Sequence, residues 1–232
     1  MKTFAVIIAA AHTPEYIIDC VNSVLRQSIT GDWRFEIRIG VDGCPKTSEI
    51  LKRYNIKHWY SSKNVGAYVM RNSLIYLNQA DVYGYFDADD TMKPDYISRT
   101  IKAIEGGLEA VMLAKEEVNE NLKSLYRPPV VQDGGAISFT HEVLKKVGGF
   151  QPFRCAGDTD LMRRIESAGF YIYTIDDKAY YLRRRHLKSL TRSGQTIYGG
   201  EYRKECWSKM CEEREKGVIK VNPEITNLEL IS

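Results

Sequence analysis

The segment YGYFDADDTMKPD at residues 83–95 places three carboxylates, Asp87, Asp89 and Asp90, directly after an aromatic and apolar run. Like charges at this spacing repel one another, and partial burial makes each charge less favourable. A positive partner is therefore expected, and the candidates are a metal ion, a helix N-terminus, or nearby arginine and lysine side chains. The D-x-D spacing suits Mg²⁺ or Mn²⁺ bound to a diphosphate, since carboxylate oxygens are hard ligands for these ions.

Two other interpretations of this acidic segment stay open. A solvated loop in which Asp90 or Thr91 caps the following helix would explain the acids without a ligand. The letters DADDT also fit the D-x-D-x-T motif of haloacid-dehalogenase-type phosphatases, with Asp87 as nucleophile and Asp89 as general acid. That motif is expected on the first strand of its fold, whereas three strand–helix units precede it here.

A second acidic segment, CAGDTDLMRRIESAGF at residues 155–170, opens a predicted helix with Asp158 and Asp160. Either carboxylate could act as a general base. Capping of the helix N-terminus is the simpler explanation of both.

A basic segment, YYLRRRHLKSLTR at residues 180–192, surrounds His186 with arginine and lysine residues. An imidazole can ligate Mn²⁺ or Mg²⁺, and the cations can hold a diphosphate. A basic edge strand that resists aggregation is the simpler interpretation.

The elements that would position these segments alternate along the first 115 residues. Apolar strands are predicted at 3–10, 35–42, 56–62, 81–87 and 108–118, and helices at 14–28, 46–54, 65–79 and 94–107. This order predicts a parallel sheet with helices on both faces. Ligands bind such sheets outside the carboxyl ends of the strands, where the acidic segment, Asp42 and residues 11–14 would share one rim.

The second half of the chain is less regular. A loop or hairpin is predicted at 119–135, a strand followed by a helix at 136–150, and a helix at 157–170. Two strands are predicted within 171–186 and a last helix at 199–217, followed by an appended tail from Val218.

Composition limits the classes of protein. The 232 residues are 44% hydrophobic and carry a net charge of +3, which is too small to favour nucleic-acid binding. Five scattered cysteines do not suggest a disulfide framework or a zinc site. No apolar stretch approaches the roughly 18 residues of a membrane span, so we expect a cytoplasmic protein, with peripheral membrane attachment left open.

In their order, these segments resemble the family 2 glycosyltransferases, which have the GT-A fold. The resemblance covers residues 3 to about 192. It rests on VIIAAAHTPEY, on Asp42 after the second strand, on NVGAYVMRN, on FDADDTMKPD, on AGDTDLMRRIESAGF and on YYLRRRHLKSLT. One departure concerns the Glu-Asp pair that is common at the acidic helix start, which is Gly157–Asp158 here.

The resemblance implies an α/β fold of GT-A type, with a mostly parallel central sheet flanked by helices and a small antiparallel sheet on the acceptor side. The catalytic domain would span residues 1–195, divided into a nucleotide-binding half (1–115) and an acceptor-binding half (116–195). Residues 196–232 would form a C-terminal helix and tail.

The resemblance also implies an inverting transfer of a sugar from a nucleotide sugar, most often a UDP-sugar, with Mn²⁺ or Mg²⁺ as cofactor. Asp158 would be the catalytic base, with Asp160 as its rival because of Gly157. The metal ligands would be Asp87, Asp89 and His186. The residues expected near the nucleotide and its diphosphate are Ala10, Ala11, His12, Asp42, Asn64, Gly66, Arg71, Asp87, Ala88, Asp89 and Arg185, with Lys188 adding positive charge.

The acceptor is expected to be a hydroxyl group, most often on a glycan. A lipid-linked glycan, a surface polysaccharide and a protein all fit, and a nucleic acid is the least favoured. A non-catalytic nucleotide-sugar-binding protein stays open because of Gly157. A nucleotidyltransferase is weaker, since AAAHTPEY contains no glycine-rich phosphate loop.

Overall fold

The computed structural model describes residues 1–29, 31–125, 136–187, 189 and 199–232. Within these ranges the strands are β1 (Lys2–Ala10), β2 (Trp33–Asp42), β3 (His58–Ser61), β4 (Val82–Asp87), β5 (Thr91–Met92), β6 (Ala110–Leu113), β7 (Lys115–Val118), β8 (Ile137–Thr140), β9 (Ile172–Ile175), β10 (Tyr181–Arg184) and β11 (Glu229–Ile231). The helices are α1 (Ile17–Leu25), α2 (Pro45–Arg53), α3 (Ala67–Ile75), α4 (Tyr96–Glu105), α5 (His141–Val147), α6 (Gly157–Ser167) and α7 (Glu201–Glu215).

The large sheet has the strand order β11-β3-β2-β1-β4-β8-β6-β9. Its neighbours from β3 to β4 are parallel, as are β6 and β9, whereas β8 is antiparallel to both of its neighbours and β11 is antiparallel to β3. A small sheet, β5-β10-β7, lies apart, and in it β10 is antiparallel to β5 and parallel to β7. The predicted α/β fold with a mostly parallel central sheet is confirmed.

The apolar run of β1 lies at the centre of the large sheet and buries both of its faces. Phe4, Val6 and Ile8 belong to a core that includes side chains of α1, α2 and α4. Ala5 and Ile7 belong to a second core that includes side chains of α3, α5 and α6. Because alternate residues of a strand point to opposite faces, this division confirms that helices cover both faces of the sheet.

The strand register brings the carboxyl ends of four neighbouring strands to one rim. Ala9 pairs with Asp87 across β1 and β4, Ala10 pairs with Val41 across β1 and β2, and Asp42 pairs with Ser61 across β2 and β3. The polar segments that follow these strands are therefore neighbours in space.

Two elements differ from the sequence-based expectation. The strand predicted at 108–118 is two strands, because the chain leaves the large sheet after β6 and enters the small sheet with β7. Ala114, at the crossing, donates its N–H to the carbonyl of Ile175 at 2.9 Å and accepts the N–H of Tyr180 at 2.7 Å. Each half of the predicted strand therefore has its own partner.

The prediction of an appended tail was wrong, since β11 forms an edge of the large sheet. The tail packs closely against the end of α5, where a Cβ atom at Gly148 would lie 2.0 Å from the carbonyl oxygen of Val221. Only a glycine fits there, because φ at position 148 is +77° as well. The segment 127–135, expected to help shape the acceptor side, lies outside the described residues.

None of the described helices is long and apolar enough to cross a membrane. All five cysteines are free thiols.

Candidate active site

The acidic segment forms a tight turn at the end of β4. The N–H of Asp90 donates to the carbonyl of Asp87 at 3.2 Å, and the chain then enters the short strand β5. This turn gives three neighbouring carboxylates three different environments.

Asp87 is held by the guanidinium of Arg71, whose Nη2 lies 2.5 Å from Oδ1. Burial raises the pKa of Asp87 to about 6, Arg71 opposes the shift, and the nearby Asp89 adds to it. The side chain of Asp87 is still 38% exposed, so water and ions reach the carboxylate. Arg71 itself is buried, with its guanidinium carbon 4.6 Å from the ring centre of Tyr85.

Asp89 meets His186, whose Nε2 lies 2.7 Å from Oδ2 of the carboxylate. The imidazole is buried against the ring of Tyr16, with ring centres 4.8 Å apart. Its Nδ1 has no hydrogen-bond partner within the described part of the chain. Two of the three predicted metal ligands are therefore adjacent.

Asp90 is only 3% exposed, and its Oδ1 accepts the backbone N–H of Arg184 at 2.8 Å. Burial, with Asp89 and Asp87 adding to the effect, raises the pKa of Asp90 well above its ordinary value. This carboxylate faces the protein interior and joins the turn to β10.

The predicted ligands fit Mn²⁺ or Mg²⁺ in their chemistry, since two carboxylates and an imidazole suit these ions. Asp89 and His186 are in contact, and Asp87 offers an accessible carboxylate two residues away. Among the described residues no three such side chains gather into a ready-made cluster, as Asp87 is paired with Arg71. The side-chain chemistry of the turn therefore suits either ion, but the described part of the chain shows no assembled metal site.

Asp42, predicted to contact the nucleotide, organises the loop that follows β3. Its two carboxylate oxygens accept the N–H groups of Val65 and Gly66 at 2.7 and 2.9 Å. The residue is 2% exposed, and burial raises its pKa, which the two backbone hydrogen bonds oppose. Gly66 takes a φ of +96°, which a residue with a side chain rarely adopts.

The other predicted nucleotide contacts lie along the same rim. Ala10 and Ala88 are buried, and the carbonyl of Ala11 accepts the hydroxyl of Thr47 at 2.9 Å. His12 is exposed beside them.

The side chain of Arg185 pairs with Glu117 in the small sheet rather than with the acidic turn. Lys188 lies outside the described residues.

The two acids at the start of α6 differ sharply. Asp160 is 4% exposed and forms an ion pair with Arg164, whose Nε and Nη2 lie 2.9 and 2.8 Å from Oδ2. Asp158 is partly exposed, and its Oδ1 accepts the hydroxyl of Tyr68 at 3.2 Å and the N–H of Thr159 at 2.9 Å. Asp158 is the more exposed acid and is not the one that Arg164 holds, so it is the better placed base.

Asp158 also lies close to the acidic turn. The hydroxyl of Tyr68 donates to Asp158, and the guanidinium of Arg71, whose central carbon is 5.4 Å from the centre of the Tyr68 ring, pairs with Asp87. The candidate base therefore lies near the candidate metal ligands, and we call the space between them the cleft.

Comparison with known proteins agrees with this arrangement. The sequence profile described as Glycosyl transferase family 2 matches residues 5–166, well over half of the 232 residues. The chain belongs to glycosyl transferase family 2. No curated protein matches the chain by sequence.

Solved structures of GT-A glycosyltransferases share the fold of this family member. S. aureus TarS 1–349 in complex with UDP has a TM-score of 0.66 and 18% identity, covering 81% of this chain and 61% of that one. The complex of TarS 1–349 with UDP-GlcNAc gives 0.66 and 17%, covering 84% and 61%. The mannosyltransferase PcManGT from Pyrobaculum calidifontis, in complex with GDP-Man and Mn²⁺, gives 0.64 and 14%, covering 78% and 56%. This chain thus spans less than two thirds of each neighbour's length.

Sequence reasoning missed two arginines of the site. Arg184, noted only as part of a basic cluster, donates to the carbonyls of Asp89 and Glu120 at 3.0 and 2.7 Å and pairs with Asp19 at 2.9 Å. It joins β10 to the acidic turn. The sequence has three adjacent arginines here and does not indicate which of them makes this contact.

Arg154 was not predicted at all. Its guanidinium donates to the side-chain and backbone oxygens of Asn64, at 2.6 and 3.1 Å, and so joins the loop before α6 to the loop before α3. The two residues are 90 positions apart in the sequence, so no local pattern could predict this contact.

Proposed function

We propose that this family member is a metal-dependent, inverting glycosyltransferase that moves a sugar from a UDP-sugar to a hydroxyl acceptor, as a hexosyltransferase-like enzyme. The observation that carries the proposal is that Asp158, partly exposed at the start of α6, is linked to the acidic turn through Tyr68 and Arg71. This placement supplies a base for the acceptor and a charged turn for the donor.

The roles follow from the environments of the residues. Asp158, the more exposed of the two acids at the start of α6, would accept the proton of the acceptor hydroxyl as that oxygen attacks the anomeric carbon. Asp42 and the segment Ala10–His12 would hold the nucleotide base, with Asp42 acting mainly through the loop that it fixes.

Asp89, His186 and Asp87 would hold Mn²⁺ or Mg²⁺, which would neutralise charge on the leaving diphosphate. The carboxylate of Asp90 and the guanidinium of Arg184 join this turn to β10. Arg71 holds the carboxylate of Asp87 toward the cleft.

Three lines of support favour a nucleotide-sugar donor. The family consists of glycosyltransferases, TarS binds UDP and UDP-GlcNAc, and PcManGT binds GDP-Man with Mn²⁺. We favour a UDP-sugar as donor and a glycan hydroxyl as acceptor. We assign the catalytic unit to residues 1–195, in nucleotide-binding (1–115) and acceptor-binding (116–195) halves, followed by the C-terminal helix and tail (196–232).

The first test is thermal stabilisation by UDP, UDP-sugars, GDP-sugars and inorganic phosphate, each with Mn²⁺, Mg²⁺ or chelator. A ligand at about 100 times its Kd stabilises the folded state by roughly 2.7 kcal/mol, which is several degrees in Tm. We expect a shift with UDP-sugars that requires the metal and disappears in Asp89→Ala. Asp176→Asn, which removes an exposed carboxylate outside the proposed site, is the matched control and should keep the shift.

The second measurement is release of UDP from the best-stabilising donor, with water or an added glycan as acceptor. Metal-dependent release would support the transferase. Binding without any release would favour a non-catalytic nucleotide-sugar-binding protein. No shift with any nucleotide, together with Asp87-dependent hydrolysis of a phosphate ester, would overturn the proposal in favour of the phosphatase, which family membership now disfavours.

A further inference from the structure

The start of α6 lacks the acidic residue that commonly precedes the base in this family, and Tyr68 occupies the space beside it. A Cβ atom at Gly157 would lie 2.8 Å from Cδ2 and 2.9 Å from Cε2 of the Tyr68 ring. Real Cβ atoms do not approach ring carbons so closely, so any side chain at position 157 would displace this ring. Gly157 and Tyr68 therefore depend on each other.

The hydroxyl of Tyr68 reaches the next residue of the helix. It donates to Oδ1 of Asp158 at 3.2 Å, and the N–H of Thr159 donates to the same oxygen at 2.9 Å. Two donors on one oxygen fix the rotation of the carboxylate. Asp158 is partly exposed, so an acceptor hydroxyl could meet its other oxygen, Oδ2.

The ring of Tyr68 is itself held in place. It stacks on Phe150 with ring centres 5.5 Å apart and lies beside Arg71, whose guanidinium carbon is 5.4 Å from the ring centre. The residue is 8% exposed, and burial, followed by the charge of Asp158, raises the pKa of its hydroxyl well above the ordinary value. The hydroxyl therefore keeps its proton and acts as a donor.

We propose that Tyr68 is the positioning residue of the base: it orients Asp158 for proton abstraction, and Gly157 is the residue that makes room for it. The inference rests on the proposed function, because it assigns a partner to the base of that reaction. Tyr68 acts through Asp158 and is not itself expected to exchange a proton with the substrate.

The central experiment compares Tyr68→Phe with the wild type in UDP release from the best-stabilising donor. The Phe variant keeps the ring and loses only the hydroxyl. We expect kcat to fall about 10-fold, since hydrogen bonds to charged groups are among the stronger ones, with KM for the donor unchanged. A lower kcat with an unchanged KM distinguishes positioning of the base from a loss of donor binding.

A matched control separates this effect from loss of stability. Tyr83→Phe also removes a buried tyrosine hydroxyl, one that accepts the N–H of Ala80 at 2.9 Å on the opposite end of β4. It should lower Tm and leave kcat as in the wild type. Arg71, Asp87, Tyr85 and Cys155, ionisable groups that interact with Tyr68 or Asp158, are unchanged in both variants.

A residue swap tests the packing half of the inference. Gly157→Glu alone should lower Tm strongly and abolish release, because its side chain collides with the Tyr68 ring. Tyr68→Ala with Gly157→Glu restores the common acidic pair and removes the collision. The double variant should therefore melt at a higher temperature than Gly157→Glu and release UDP at least about 10 times faster than it.

The outcomes distinguish the two proposals. If the wild type releases no UDP from any donor, the proposed function fails. If the wild type is active but Tyr68→Phe has an unchanged kcat, the positioning role is wrong. If Gly157→Glu is as stable as the wild type, the dependence of Gly157 on Tyr68 is wrong.

Discussion

The two acidic segments of the cleft, the turn at 87–90 and the helix start at 157–160, divide their carboxylates in the same way. In the turn, Asp90 is buried against the backbone of Arg184 while Asp89 meets His186 at the cleft. In the helix, Asp160 is buried against Arg164 while Asp158 is partly exposed. Each segment thus has one acid that stabilises the fold and one that is available for chemistry.

Backbone geometry produces this division in both places. Residues two apart in an α-helix are separated by about 200° around its axis, so Asp158 and Asp160 must face different surroundings. In the turn, adjacent residues at the end of a strand point in different directions, which separates Asp89 from Asp90. Counting acids in a sequence therefore overestimates the number that can act on a ligand.

The largest effect should come from the available acid of the helix. Asp158→Asn removes the base but keeps its shape, so we expect kcat for sugar transfer to fall roughly 10²–10⁴-fold. Donor-induced thermal stabilisation should persist, because the donor side of the cleft is unchanged. Asp176→Asn is the charge-matched control. Normal transfer by Asp158→Asn would show that this acid is not the base.

Disrupting the ion pair of the buried acid, Asp160, should lower stability rather than activity. Arg164→Met leaves Asp160 buried without its cation and frees the carbonyls of Val147 and Gly149, which Arg164 now binds at 2.8 and 2.7 Å. Breaking such a pair destabilises a protein by about 3–5 kcal/mol, which urea unfolding measures.

Transfer activity per folded Arg164→Met molecule should change little. Arg163→Met, at the preceding and partly exposed position, is the control and should change stability by less than about 1 kcal/mol. Equal stability of the two variants would contradict the structural role of the Asp160 pair.

Much of the fold could be predicted because it depends on local patterns. The β-branched run of β1, the helices that follow each early strand, and the rim position of Asp42 and Asp87 all follow from periodicity and the rules of parallel sheets. The strand followed by a helix predicted at 136–150 is also present, and Thr140 caps the helix α5 by accepting the N–H of Val143 at 3.5 Å.

The features that escaped prediction depend on contacts distant in sequence. Asn72, inside a predicted helix, is fully buried and binds both the N–H and the carbonyl of Phe150 at 2.8 Å. β11 likewise pairs with a strand from much earlier in the chain, since Glu229 pairs with Tyr60 of β3. For Asp158 and Asp160, the sequence left two candidates, and only the position of Arg164 separates them.

Variants of Asp89 and Asp90 should differ in donor affinity by a smaller factor than variants at the two helix acids differ in kcat. Asp89→Asn should weaken metal-dependent binding of the UDP-sugar at least about 10-fold, because it removes a proposed metal ligand. Asp90→Asn keeps an acceptor for the N–H of Arg184 and should weaken binding less than about 3-fold. Isothermal titration with Mn²⁺ measures both. A larger effect from Asp90→Asn would reverse the assignment of the two acids.

The smallest effect concerns Asp42, a third buried acid whose carboxylate has only backbone partners among the described residues. Burial raises its pKa in the folded state, so its contribution to stability is full below the ordinary Asp value of about 3.9 and is lost as pH rises through the folded pKa. Asp42→Asn lacks this titration and leaves one N–H of the loop unpaired, a loss of about 1–3 kcal/mol. The stability advantage of the wild type over Asp42→Asn should therefore be largest at the lowest pH and shrink as pH rises, in urea unfolding with chelator. An advantage that grows with pH would mean that the two backbone hydrogen bonds outweigh burial, and that Asp42 belongs with the ionised acids of the cleft.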